Sequence, residues 1–359
     1  MIAWFRYICL IVSLIITLPE LLSAQRLVSQ RQEDVEAGLL YNESVYILSN
    51  YSCLSSNSPE KLSLDELLRK QIEGFYFYLK RDTETNVLLL RKPDGTFTPF
   101  SESLEAIKTA LDADSTKVMT LFLDFYVEME LESSFKEIGL MEYVLEYDTK
   151  NGWPSLKDML SSGKRLVVFE VQKHLNSPSW LHNMRDFVEH TDADWGNQPE
   201  GVESFDERLK KNLSLFTGYK FLETSRGNSN DISALARQTP YLIESFKRAW
   251  IRDGRVPNFV LVDKYYAWLD VSLVTFRNFD IIYGAVTNNN ELLNYVNWDG
   301  MSNYTTGKYC FPLEPGAELM LSPISPGYRI EPATVYVSGT QRKAFAGDFK
   351  ARPLRVDEG

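Results

Sequence analysis

Residues 151–171 read NGWPSLKDMLSSGKRLVVFEV, and the fold turns on how this stretch divides. Ser155 followed three residues later by Asp158 is a helix-start signature, and Gly163 stops the helix it opens. Arg165 to Val171 is then a continuous apolar run of strand length, the pattern of a strand buried on both faces. A capped helix leading straight into a buried strand is one unit of a βα repeat.

Working outward, the same alternation recurs. Upstream, residues 44–49 read as a first strand, 63–73 as an amphipathic helix with Leu64, Leu67, Leu68 and Ile72 on one face, and 74–80 and 86–91 as strands joined by a polar turn. Ser101 is expected to cap a helix over 101–113 and to start, with Leu104, the stripe that Ile107 and Leu111 continue. Residues 117–126 form a buried-type strand, and 131–139 a short helix closed by its glycine. Downstream, 175–206 is a long polar stretch suited to a surface loop with one short helix. Helices over 232–238 and 240–252 precede a strand at 257–265, which Pro257 enters. Past residue 285, Gly and Pro at short intervals with runs such as TVYVSG mark a β-rich tail.

The amino terminus predicts export. Arg6 precedes an apolar run from Tyr7 to Leu18, Pro19 breaks it, and Ser23-Ala24-Gln25 offers a small-residue cleavage point after Ala24. The run is shorter than the roughly 20 apolar residues that span a bilayer, and no later segment is long enough. The mature chain is therefore expected to be secreted or periplasmic, without a transmembrane segment. With 44% hydrophobic and 24% charged residues it has the composition of a folded protein. Its net charge of -11 argues against nucleic acid as a partner. Cys53 and Cys310, left after signal removal, can close one disulfide or stand as two small apolar side chains. Asn42, Asn50, Asn212 and Asn303 fit the N-glycosylation triplet, a pattern frequent by chance.

Three ordered stretches, VMTLFLDFYV, WPSLKDMLSSGKRLVVFEV and VPNFVLVDKYY, resemble the phosphatidylinositol-specific phospholipase C X-domain family of PLC-like phosphodiesterases. The resemblance implies an α/β fold, a distorted TIM-type (β/α) barrel over residues 44–284. Residues 1–24 are then the signal peptide, 25–43 an N-terminal extension and 285–359 a small β-rich appendage. It also implies cleavage of a phosphodiester by two histidines, with an arginine or calcium offsetting the developing charge.

The family's functional positions are degenerate here. Asn50 stands for the first histidine, Glu73 and Tyr78 for the arginine and aspartate of its second strand, and Leu90 and Arg91 for the second histidine. Asparagine cannot cycle a proton, and no histidine precedes His174. The expected function is a binding or structural module that has lost phosphatidylinositol cleavage and takes a lipid head group or glycan. The alternative is a phosphoric diester hydrolase with altered machinery at the barrel mouth, drawn from Asp124, Glu170, His174 and Asp263.

The remaining candidates are weaker. Asp192, Asp194, Glu200 and Glu203 have the spacing of a calcium loop, but Gly196 is misplaced for its sharp turn, so a solvated loop is the better reading, with calcium the lesser alternative and no other cofactor expected. His182 and His190 are expected at the surface or in local hydrogen bonds. In Phe75 to Tyr78, strand packing is the first expectation, although alternate residues of a barrel strand face the lumen and a tyrosine pair can line a cleft there.

Overall fold

The structure, a computed structural model, describes residues 31–53, 63–69, 72–126, 131–190, 215–221, 258–262, 279–300, 304–305, 307–314, 316–339 and 343–355. Within these, the side chains of 53, 189–190, 215–221, 262 and 304–305 are not described. The signal segment, the two helices expected near 240, Asp263, and the acidic residues Asp192, Asp194, Glu200 and Glu203 therefore lie outside the described residues, as does the Cys53 thiol on which the disulfide depends.

Ten strands precede residue 263: β1 (Tyr46–Ser49), β2 (Gly74–Arg81), β3 (Leu88–Arg91), β4 (Phe97–Pro99), β5 (Met119–Asp124), β6 (Leu166–Glu170), β7 (Leu181–Asn183), β8 (Val188–His190), β9 (Leu215–Phe221) and β10 (Phe259–Val262). They hydrogen-bond in the order β7-β6-β5-β2-β1-β10-β9-β8, every neighbour parallel. β3 and β4 add an antiparallel extension beside β2. The two ends of this order, β7 and β8, are sequence neighbours joined by the one-turn helix Met184–Phe187. The staves thus form a barrel whose seam is spanned by the chain itself, with no ladder between β7 and β8 among the described residues.

The stretch that decides the fold behaves as read. Ser155 is the N-cap of the helix Leu156–Ser162 and accepts from the Asp158 amide at 3.1 Å, while Gly163 closes the helix at φ 74°. Ser155→Ala is expected to cost about 1 kcal/mol, read from the urea midpoint. Arg165 caps a different helix, Phe100–Ala113, by donating to the carbonyls of Leu111 at 2.9 Å and Asp114 at 2.6 Å. That helix starts one residue earlier than expected: Pro99 is its N-cap, without a side-chain cap, and exposed Ser101 lies inside it. Phe100 and Ser103 instead complete the buried stripe with Leu104, Ile107 and Leu111.

The polar stretch after residue 175, expected as a loop, contributes two staves, β7 and β8. Each has three residues, too short for hydrophobic period to declare.

Residues 31–46 close the N-terminal end of the barrel. The Tyr41 amide donates to the Pro154 carbonyl at 2.9 Å, and Leu40 bridges Ser155, so the Trp-Pro-Ser motif anchors the incoming chain. The Trp153 and Tyr46 rings both pack on Tyr41, at 4.9 Å, and the Tyr41 hydroxyl meets Thr120 Oγ1 at 2.6 Å. Deep burial raises the Tyr41 phenol well above its usual range, so it stays neutral.

Beyond the barrel the chain builds antiparallel and mixed sheets around a second core of Ile282, Val286, Trp298, Tyr309, Phe311 and Phe349. The strand β11 (Asp280–Asn288) runs through the boundary expected at 284 and pairs with Lys308–Leu313 and Lys343–Pro353, so the appendage sheet begins at residue 280. Lys343 ion-pairs Glu43 of the N-terminal segment.

Candidate functional site

Register decides which side chains face the lumen. Residues paired across parallel strands point to the same face of a sheet, and the aligned rows Phe122–Phe169 and Tyr46–Phe259 belong to one face. Phe122 meets Phe259 at 5.2 Å although β2 and β1 lie between their strands, a contact made only across the inside of the barrel. That row, with Gly74, Tyr76 and Tyr78 of β2 and Thr120 and Asp124 of β5, is therefore the lumen. The alternate row, including Phe77, which meets Phe100 of the outer helix at 6.0 Å, faces outward.

The parity separates the candidates expected at the mouth. Asp124 ends β5 on the lumen face and is 9% exposed. The Tyr76 hydroxyl donates to its Oδ2 at 2.7 Å, and Tyr78 stands beside it in register. Tyr126, 69% exposed, carries its ring to 6.2 Å from that of Tyr78.

Glu170, expected with His174 at the barrel mouth, is aligned with Leu123 and Asn183 and so faces outward, away from the lumen. The Glu170 carboxylate, 1% exposed, accepts from His174 Nδ1 at 3.0 Å, Ser177 Oγ at 2.6 Å and Asn183 Nδ2 at 3.2 Å. A carboxylate only accepts, so Nδ1 carries the proton of that bond. The His174 ring stacks on Phe125 at 4.4 Å, on the same outer side. The structure thus brings His174 and Glu170 together, but on the opposite face of the sheet from Asp124.

The degenerate family positions also divide. Asn50 follows β1 directly and is 2% exposed. Ser52 accepts from the Tyr78 amide at 2.8 Å and donates to the Arg91 carbonyl at 2.9 Å, drawing the Asn50, Tyr78 and Arg91 positions to one end of the barrel. Leu90 is wholly buried. Glu73 precedes β2 at the other end, where it ion-pairs Arg31 and accepts the Ile47 amide at 3.2 Å. It is a fastening of the barrel floor rather than a group at the mouth.

His182, expected at the surface or in local hydrogen bonds, is instead buried in the lumen row of β7 among Trp153, Phe169 and Phe187. Its Nε2–H donates to the Leu145 carbonyl at 3.1 Å. Burial pushes its imidazole below the usual range, opposed by that hydrogen bond. The unfolded chain then binds the proton more readily, so stability is full above about pH 6.5 and falls as pH drops below it. The slope should reach at most about 1.4 kcal/mol per pH unit. His182→Asn should flatten it, as urea midpoints between pH 7 and pH 5 will test.

Among the described residues, no group of three or more His, Cys, Asp or Glu is placed to hold a metal ion. No helix there is long and apolar enough to cross a membrane.

The parallel barrel is thus held at its floor by residues 31–46, and β1, β2 and β5 carry Asn50, Tyr78 and Asp124 to its other end. Residues 90–199, spanning β5, the Trp-Pro-Ser motif and β6, match the family model described as PI-PLC X 1, and the resemblance read from the motifs stands on that segment. Among solved structures, the phosphatidylinositol-specific phospholipase C from Listeria monocytogenes is similar, with 12% identity over 68% of this chain and 98% of that one, at a TM-score of 0.44. One from S. aureus has 15% identity over 67% and 94%, at 0.40. No curated protein matches the chain.

Proposed function

We propose that this is an exported PLC-like barrel protein that does not cleave phosphatidylinositol and works by binding a small head group or glycan at the open end of its barrel. The observation that carries this is the fate of the proton carriers. The positions matching the family's histidines hold buried Asn50 and the Leu90–Arg91 pair, whose Arg91 carbonyl accepts from Ser52, two residues past Asn50. The histidine that does contact a candidate carboxylate, His174, faces away from the lumen. General acid–base groups each contribute about a hundred- to ten-thousand-fold, so losing both leaves a site able to orient a ligand and little more.

The test is release of inositol phosphate from phosphatidylinositol vesicles, with and without calcium, beside an active phospholipase C. No release above the enzyme-free rate is expected. Turnover at enzyme-like rates that His174→Ala abolishes would replace this reading with the altered hydrolase.

A further inference from the structure

Deepening that reading, we infer that the lumen end of the barrel takes a primary ammonium group, with Asp124 as its acceptor. Asp124 Oδ1 is buried and has no hydrogen-bond partner among the described residues, whereas Oδ2 is held by the Tyr76 hydroxyl at 2.7 Å. Leaving a buried acceptor unmade is costly, more so when it is charged. No Lys or Arg among the described residues pairs with it. What is missing is a donor that also carries positive charge.

The neighbours fit the same ligand. Tyr76 and Tyr78 share the lumen face with Asp124, and the Tyr126 and Tyr78 rings lie 6.2 Å apart at 58°, offering electron-rich faces to a cation. A phosphate would be repelled by the carboxylate. A hydroxyl would supply a donor without the charge, and a quaternary ammonium the charge without an N–H donor. A primary ammonium supplies both, whether carried by a lipid head group or an amino sugar.

The experiment titrates the mature protein calorimetrically with ethanolamine, glucosamine, tetramethylammonium and myo-inositol up to roughly 50 mM, a range in which a millimolar Kd registers. It also measures binding to phosphatidylcholine vesicles with and without phosphatidylethanolamine. Ethanolamine or glucosamine should bind more tightly than tetramethylammonium and myo-inositol, and Asp124→Asn should weaken that binding at least about tenfold. Preference for phosphatidylethanolamine vesicles assigns the ammonium to a lipid, and glucosamine binding without it to a sugar. Asp124→Asn should leave the thermal midpoint unchanged or raise it, because it removes an uncompensated buried charge; a purely structural acid would give a lower one. No binding of either amine, equal or tighter binding of myo-inositol, or full binding by Asp124→Asn overturns the inference. None of these restores phosphatidylinositol cleavage, whose appearance alone would sink the functional reading.

Discussion

Arg31→Ala should lower stability by about 3–5 kcal/mol, seen as a large fall in the urea midpoint with its slope unchanged. The guanidinium ion-pairs buried Glu73, reaches the Val45 carbonyl at 3.4 Å and Asp34 at 3.5 Å, and lies 4.7 Å above the Tyr46 ring. Truncation leaves the Glu73 carboxylate buried without its cation, which costs far more than an exposed pair returns. Adding Glu73→Gln to Arg31→Ala should recover much of the loss, since the stranded charge is then gone. A double variant as unstable as the sum of the two singles would show that packing, not charge, dominates the floor.

Gly74→Ala is expected to cost about 3 kcal/mol or more, or to leave no cooperative unfolding transition. A Cβ built there would sit 2.2 Å from the Thr120 carbonyl oxygen and 3.1 Å from Leu48 Cγ. The first obstacle is backbone of the adjoining stave, so it cannot rotate away as a side chain would. β2 is wedged between β1 and β5, paired to Leu48 on one side and Thr120 on the other, and both ladders must shift to admit a methyl group. Thermal unfolding followed by near-ultraviolet circular dichroism checks this, and a midpoint within about 2 °C of the unsubstituted protein contradicts it.

The elements legible in the sequence were those with length or punctuation. β5, β6 and β10 are apolar runs bounded by polar residues, and Ser155, Asp158 and Gly163 each act where their chemistry placed them. β7 and β8 were hidden because three-residue staves in a polar stretch carry no period, their pairing coming from barrel closure rather than propensity. The site was harder to read for a related reason. Leu-Val-Val-Phe-Glu in β6 is buried on both faces, so nothing in it tells the lumen from the helix side. Glu170 therefore looked equivalent to Asp124, and only the alignment of Phe169 with Phe122 separates them. The tyrosines of β2 were half-legible: alternation pairs Tyr76 with Tyr78, but only the outward contact of Phe77 with Phe100 says which pair faces in. Arg31 had no signal at all, because its partner Glu73 is distant in sequence.

The place of β1 in the sheet bears on how the chain is made. Tyr46 to Ser49 is flanked by β2 on one side and by Phe259 to Val262 on the other. A ribosome adding 5–20 residues per second needs about 10–40 s to make the roughly 200 residues between those two strands. Through that interval one edge of β1 has no native neighbour, and its apolar run is a ready template for the wrong strand. The barrel can assemble only after its last stave emerges, so a chaperone that shields the early edge should raise the yield of folded protein more than any single stabilising substitution in the finished barrel.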